Sequence, residues 1–185
     1  IQEEKRREQL SASRVAALKR RAERDAVTGI LNRGALEERV NAALETRGPR
    51  SDVLLVFDLD DFKEVNDSYG HLRGDELLRR VGQVMTDSCR AEDIVGRLGG
   101  DEFAVCLRQM PGVREAQEKG RQLIGEIRAL VRTGDGVAVS VSVGAAQVLP
   151  EDACFADVFA RADKALYRVK ESGKNNVAFY DPALD

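Results

Sequence analysis

Residues 1–24, IQEEKRREQLSASRVAALKRRAER, contain no Gly or Pro and consist of good helix formers, which predicts one long, highly charged helix. Val15, Leu18 and Ala22 follow heptad spacing while Leu10 falls out of phase, so a coiled-coil seam and a single solvated linker helix both fit. The turn DAVTGILNR, Asp25 to Arg33, breaks this helix before another begins near Gly34. VLLVFD, Val53 to Asp58, is a short apolar run bounded by polar residues and reads as a buried strand. A helix follows from about Gly74, with Leu77, Leu78, Val81 and Met85 on one face. Apolar residues on both sides of RLGGDEF, Arg97 to Phe103, predict strand, tight turn and strand, since a Gly-Gly pair supplies the positive φ of a hairpin turn. A helix over Val113 to Val131, an alternating strand VAVSVSVGAAQV from Val137 to Val148, a helix over Phe155 to Lys170 and a last strand VAFY, Val177 to Tyr180, complete the series. Helices mixed with hairpin-linked strands predict an α/β (α+β) domain at 25–185, a largely antiparallel sheet covered by helices, preceded by a linker helix at 1–24.

Composition narrows the possibilities. The 185 residues are 43% hydrophobic, enough for one well-buried domain plus an appendage. There is neither an apolar stretch of membrane-spanning length nor a signal-peptide core, so the expected location is cytoplasmic. The chain begins with Ile1 rather than Met and reads as a piece of a longer protein with a domain upstream. Cys89, Cys106 and Cys154 lack metal-ligand spacing and are expected to be buried thiols in a reducing compartment. Residues 1–24 hold eight Lys/Arg against four Asp/Glu, which leaves 21 basic and 28 acidic residues in the body, a net charge of −7. A body of that sign excludes a general nucleic-acid binder and leaves room for a compact nucleotide site that uses metal ions.

The candidate chemistry lies where the acids gather. In FDLDDFK, Phe57 to Lys63, strand alternation projects Asp58 and Asp60 to one side. If this strand lies beside the GGDE hairpin, Asp58 and Asp101 converge. Several hard oxygens without His or Cys neighbours suit Mg²⁺ and argue against zinc. Phosphates need cations as well. Lys63 follows the acids, and KESGK presents Lys170 and Lys174 at a helix end and the turn after it. Asn66 and Asp75 offer an amide and a carboxylate to a base, and a carboxylate accepts the paired N–H donors of a guanine edge. His71, the only histidine, reads as a helix-entry or packing residue.

GGDEF at Gly99–Phe103, FDLDDFKEVNDSYGHLRGDE at Phe57–Glu76, DAVTGILNR at Asp25–Arg33 and DKALYRVKESGKN at Asp163–Asn175 together resemble the GGDEF-family diguanylate cyclases, in the family's order and across about residues 25 to 180. The resemblance implies a fold related to nucleotidyl cyclases and polymerase palms, with a central, mostly antiparallel five-stranded sheet. It implies condensation of two GTP into cyclic di-GMP and two pyrophosphates where two half-sites of a homodimer meet. Carried onto these positions, Asp58, the backbone carbonyl of Leu59 and Asp101 would bind Mg²⁺, with Mn²⁺ as a substitute. Glu102 would join the catalytic acids. Asn66 and Asp75 would read guanine, Lys63, Lys170 and Lys174 would hold phosphates, and Gly99 and Gly100 would let the backbone approach the nucleotide.

The resemblance extends to RAED, Arg90 to Asp93, which matches the family's RxxD inhibitory site for the product, with Arg121 as a third contact. Lys174 stands where the family often has Arg, which keeps the charge and loses the bidentate fork. Val27 and Ile30 replace more usual leucines. The rival reading from another class is a non-catalytic receptor for GTP or cyclic di-GMP. Retention of Asp58, Asp101 and Glu102 favours the cyclase, and Asp75 favours guanine over a mixed-base product.

Overall fold

The computed structural model describes residues 2–46, 48–132 and 139–184. Two periods of apolar residues build its layers. Along β1 (Ser51–Leu59), the odd-numbered Val53, Leu55 and Phe57 belong to one core and the even-numbered Leu54 and Val56 to another. A strand that feeds two cores must lie inside a sheet covered on both faces, and β1 is its middle strand. β2 (Ile94–Gly99), β3 (Glu102–Met110), β4 (Val141–Gln147) and β5 (Val177–Phe179) complete five strands in the order β2-β3-β1-β4-β5. Every pairing is antiparallel except β4 with β5, which is parallel. This is the largely antiparallel sheet that the residue pattern predicts, with the five strands that the family resemblance implies.

On the odd-numbered face, Leu78, Val81 and Met85 of α4 (His71–Ser88) and Leu123 and Ile127 of α5 (Val113–Arg132) close the core. On the even-numbered face, Leu36, Val40 and Leu44 of α2 (Arg33–Glu45) and Val158, Ala162 and Leu166 of α6 (Phe155–Glu171) do so. Asp58 and Asp60 continue the even-numbered series past Val56, so β1 delivers carboxylates to the end of the sheet on which α6 lies. β4 and α6 approach so closely that a Cβ at Gly144 would stand 2.1 Å from the Ala162 carbonyl oxygen. That contact fixes where the helix carrying Lys170 can run.

α1 (Gln2–Ala22) forms as expected and buries none of its residues; Leu10, Val15 and Leu18 are all exposed. It is tied to the domain at its C-terminal end. The Asn32 side chain accepts from the Ala35 N–H to cap α2 and donates to the Ala22 carbonyl at 2.7 Å. Leu31 forms isolated bridges to Arg24 and to Gly96. The turn from Asp25 to Arg33 therefore hooks onto β2.

Three expectations need correction. A short helix, α3 (Phe62–Tyr69), follows β1, and α4 begins at His71 rather than Gly74, with Gly70 at φ 83° between them. The alternating run predicted from Val137 pairs as a strand only from Val141, and Val137 and Ala138 lie outside the described residues. Cys106 is buried, but Cys89 and Cys154 are only partly so. Burial still pushes the Cys89 thiol up to about 11, so it remains protonated at neutral pH. Among the described residues no helix is long and apolar enough to cross a membrane.

Candidate active site

Antiparallel pairing of β1 with β3 sets Asp58 directly opposite Glu102, at the sheet end where the hairpin turns. Directly opposed side chains on one face have Cβ atoms about 4.5–5.5 Å apart, so two carboxylates here repel each other. The turn adds a third acid. Gly99 (φ 144°) and Gly100 (φ 49°) take conformations that disfavour a Cβ, and they bring Asp101 round until the Leu59 N–H donates to its carbonyl at 3.1 Å. Burial is the largest cause holding Asp58 above the usual carboxylate range, with the charges of Asp101 and Asp60 adding and the Lys170 hydrogen bond opposing. Glu102 is raised in the same way, by burial first and then by Asp58, Asp101 and Asp163. Sequence alone does not place Asp163 beside this cluster.

Lys170 Nζ sits 2.7 Å from Asp58 Oδ2, and Lys174 Nζ 2.7 Å from Asp61 Oδ1. The Asp61 bond is the main cause raising Lys174 above its usual range. Two of the three phosphate candidates therefore rest on acids at the end of β1. Lys63 is exposed on the first turn of α3. Asn66 lies with its Oδ1 against Gly74, where a Cβ would meet it at 1.9 Å, so its amide packs on the α4 backbone one residue before Asp75. The two base-reading candidates thus lie on the two successive helices that leave the acidic end of β1.

Arg90 and Asp93 are also joined. Asp93 accepts from the Arg90 and Arg108 backbone N–H groups, each at 2.9 Å, and the Arg90 guanidinium reaches Asp93, Glu92 and the Arg108 carbonyl. A cavity of about 460 Å³ opens there, and its lining includes Arg24 and Arg39. Arg121 is exposed on α5 and does not line it.

Arg97 has no role in the sequence reading, yet it spans two motifs. Its guanidinium donates to Asp25 at 3.0 and 3.2 Å and to the Gly100 carbonyl at 2.6 and 3.0 Å. Burial raises Asp25, but hydrogen bonds from Thr28 and Arg97 hold it below its ordinary value. An arginine two residues before Gly-Gly, with an acid-led turn far upstream, is the only signal the sequence offers for this link.

The donor set fits Mg²⁺. Among the described residues no three His, Cys, Asp or Glu side chains form a ready metal cage, and magnesium needs none, because it takes one or two carboxylates and leaves the remaining positions to water and substrate phosphate. Asp58 and Asp101 are carboxylates of that kind, and Lys170 already sets a cation 2.7 Å from Asp58 Oδ2.

The raised carboxyls make a prediction for the empty protein. A carboxyl whose folded value lies above its unfolded one costs stability when ionised and restores it as pH falls through the folded value. Glu102→Gln should therefore melt above the parent at pH 8, with the gap closing as pH is lowered towards the ordinary carboxylate range. A gap independent of pH in thermal unfolding would contradict this electrostatic account.

The family model described as "Diguanylate cyclase, GGDEF domain" matches residues 22–176. Diguanylate cyclase DgcP of Pseudomonas aeruginosa is 37% identical over 161 residues, covering 83% of this chain and 23% of its own length. Diguanylate cyclase DosC of Escherichia coli is 34% identical over 166 residues, 86% of this chain and 35% of its own. The chain thus spans between about a quarter and a third of these curated relatives. Among solved structures, the coiled coil and GGDEF domain of DgcB from Caulobacter crescentus, in complex with c-di-GMP, superposes with a TM-score of 0.82 at 26% identity, covering 96% of this chain and 95% of that one.

Proposed function

The chain belongs to the diguanylate cyclase GGDEF domain family, and from that membership we propose that it joins two GTP molecules into cyclic di-GMP with release of two pyrophosphates. One observation carries the reading: Asp58 and Glu102 stand opposed across β1 and β3, with Asp101 in the glycine turn and Lys170 on Asp58. In each half of the reaction a ribose 3′-hydroxyl gives its proton to a neighbouring carboxylate or water, its oxygen bonds to the α-phosphorus of the other nucleotide, and the bond from that phosphorus to pyrophosphate breaks. Mg²⁺, held by Asp58, Asp101 and the Leu59 carbonyl, would supply Lewis-acid stabilisation of the hydroxyl oxygen and of the leaving group.

The chain's own residues supply the rest. Asn66 and Asp75 hold the guanine edge, and Asp75 accepts from paired N–H donors that adenine lacks. Lys170 and Lys174 leave Asp58 and Asp61 for the β- and γ-phosphates, joined by Lys63 from α3. The glycines at 99 and 100 leave room for phosphate against the hairpin backbone. One chain provides one such half-site, so the reaction needs two chains facing each other. The exposed Val15 and Leu18 on α1 support a parallel helix pair between two copies, and the coiled coil in the DgcB structure supports the same reading of residues 1–24. Product would return to Arg90 and Asp93, whose cavity supports feedback inhibition.

Mass-spectrometric product analysis after incubation with Mg²⁺ and GTP, with and without ATP, tests the proposal. Cyclic di-GMP alone is expected, at a rate per chain that rises with protein concentration. No product from a folded, dimeric protein would overturn the cyclase reading and favour a receptor acting through the Arg90 cavity. A mixed dinucleotide would overturn the role of Asp75.

A further inference from the structure

Among the described residues three aspartates are buried, each about 4% exposed: Asp52, Asp60 and Asp152. Asp52 pairs with Arg108 and Asp152 with Arg161. Asp60 differs, because among the described residues no cation touches it. Its Oδ1 accepts from the Ser142 hydroxyl at 2.7 Å, and its Oδ2 from the Ser140 hydroxyl at 2.6 Å and the Asn175 N–H at 3.3 Å. A buried charge without a countercharge is costly, so it persists only where its hydrogen bonds hold something in place.

The thing held is the loop after α6. Gly173, Lys174 and Asn175 take φ of 112°, 63° and 54°, three consecutive left-handed residues of which two are not glycine. Such a run needs outside support. The Asn175 N–H is bonded to both Asp60 and Ser142, and the Val143 N–H donates to the Asn176 carbonyl. Asp60 also donates its own N–H to the Ser140 carbonyl at 2.8 Å, so the ends of β1 and β4 and this loop meet on one carboxylate. Immediately on either side of the clamp, Lys174 reaches Asp61 across the gap. Charge-assisted bonds are roughly twice as strong as neutral ones, and only a carboxylate accepts from all three donors at once.

We propose that Asp60 is a positioning residue, which fixes the left-handed loop so that Lys174 is presented at the carboxylate end of β1 for nucleotide phosphate. This rests on the reading of Lys174 as a phosphate ligand. The test measures affinity for a GTP analogue with a methylene α–β bridge, and for guanosine, in Asp60→Asn, Lys174→Ala and the double variant. Asp60→Asn keeps the shape but turns one acceptor into a donor facing donors. Analogue affinity is expected to fall about tenfold in each single variant and no further in the double, with guanosine affinity unchanged, because coupled residues are non-additive. Ser140→Ala, which removes one rim donor, should show the same pattern at about threefold and serves if Asp60→Asn does not fold. Additive losses, or an equal loss for guanosine, would overturn the proposal in favour of general loosening. If Lys174→Ala weakens the analogue and Asp60→Asn does not, the positioning step alone fails. If Lys174→Ala leaves analogue affinity intact, the phosphate premise fails and the proposal with it.

Discussion

Asp101→Ala is expected to lower the rate of cyclic di-GMP formation by about 10³-fold or more while leaving the empty protein at least as stable as the parent, because a group acting on the reacting centre is worth several kcal/mol of barrier. The two halves of this expectation come from separate features. The Asp101 side chain makes no ion pair or hydrogen bond among the described residues, and the turn is held through its backbone carbonyl and the Leu59 N–H, which alanine keeps. What alanine removes is a negative charge that raises both Asp58 and Glu102. The folded state therefore loses a repulsion and no contact. Activity loss accompanied by a lower melting temperature would mean that Asp101 supports the turn; an unchanged rate would remove it from the catalytic cluster. Lys170→Met makes the contrast: it leaves Asp58 half-buried beside two acids without its cation, so it should cost stability as well as activity.

The same comparison shows what the sequence made legible. β1 and the GGDE hairpin were readable because a short apolar run bounded by polar residues and a Gly-Gly turn are local signals, and the convergence of Asp58 with Asp101 followed once the two were laid side by side. α3 was missed because the Phe62–Tyr69 helix is only eight residues long and its Gly70 break resembles a loop. The partnership of Lys170 with Asp58 could not be read, since residues 112 positions apart are joined only by the packing of α6 on the sheet. Arg97 was overlooked, and Asp60 was read only as an acid beside Asp58, for a related reason. Their partners, at Asp25, Ser140, Ser142 and Asn175, come from separate elements, and no spacing rule links them.

Gly144→Ala is expected to destabilise the domain by about 3 kcal/mol, at the top of the usual range for adding one methyl group, because the obstacle is backbone on both sides. The added Cβ would stand 2.1 Å from the Ala162 carbonyl oxygen and 2.3 Å from the Leu166 nitrogen. Residues 162 and 166 are four apart in α6, so those two atoms are the acceptor and donor of one helical hydrogen bond, and the methyl group would wedge into it. No rotamer relieves the clash. Either the bond opens or α6 withdraws from β4 by roughly 1 Å to restore ordinary contact distances. On the opposite face of the strand nothing compensates, since Val143 and Ala145 already belong to the other core. For a domain of this size, 3 kcal/mol corresponds to a melting temperature lower by about 6–12 °C. Withdrawal of α6 also carries Lys170 away from Asp58, and a misplacement of about 1 Å can cost 10²-fold in rate. Below its melting point the variant should therefore remain folded yet cyclise GTP far more slowly than its stability loss explains. A melting temperature within 2 °C of the parent would show that β4 and α6 yield to each other, and that the close approach at Gly144 does not set the position of Lys170.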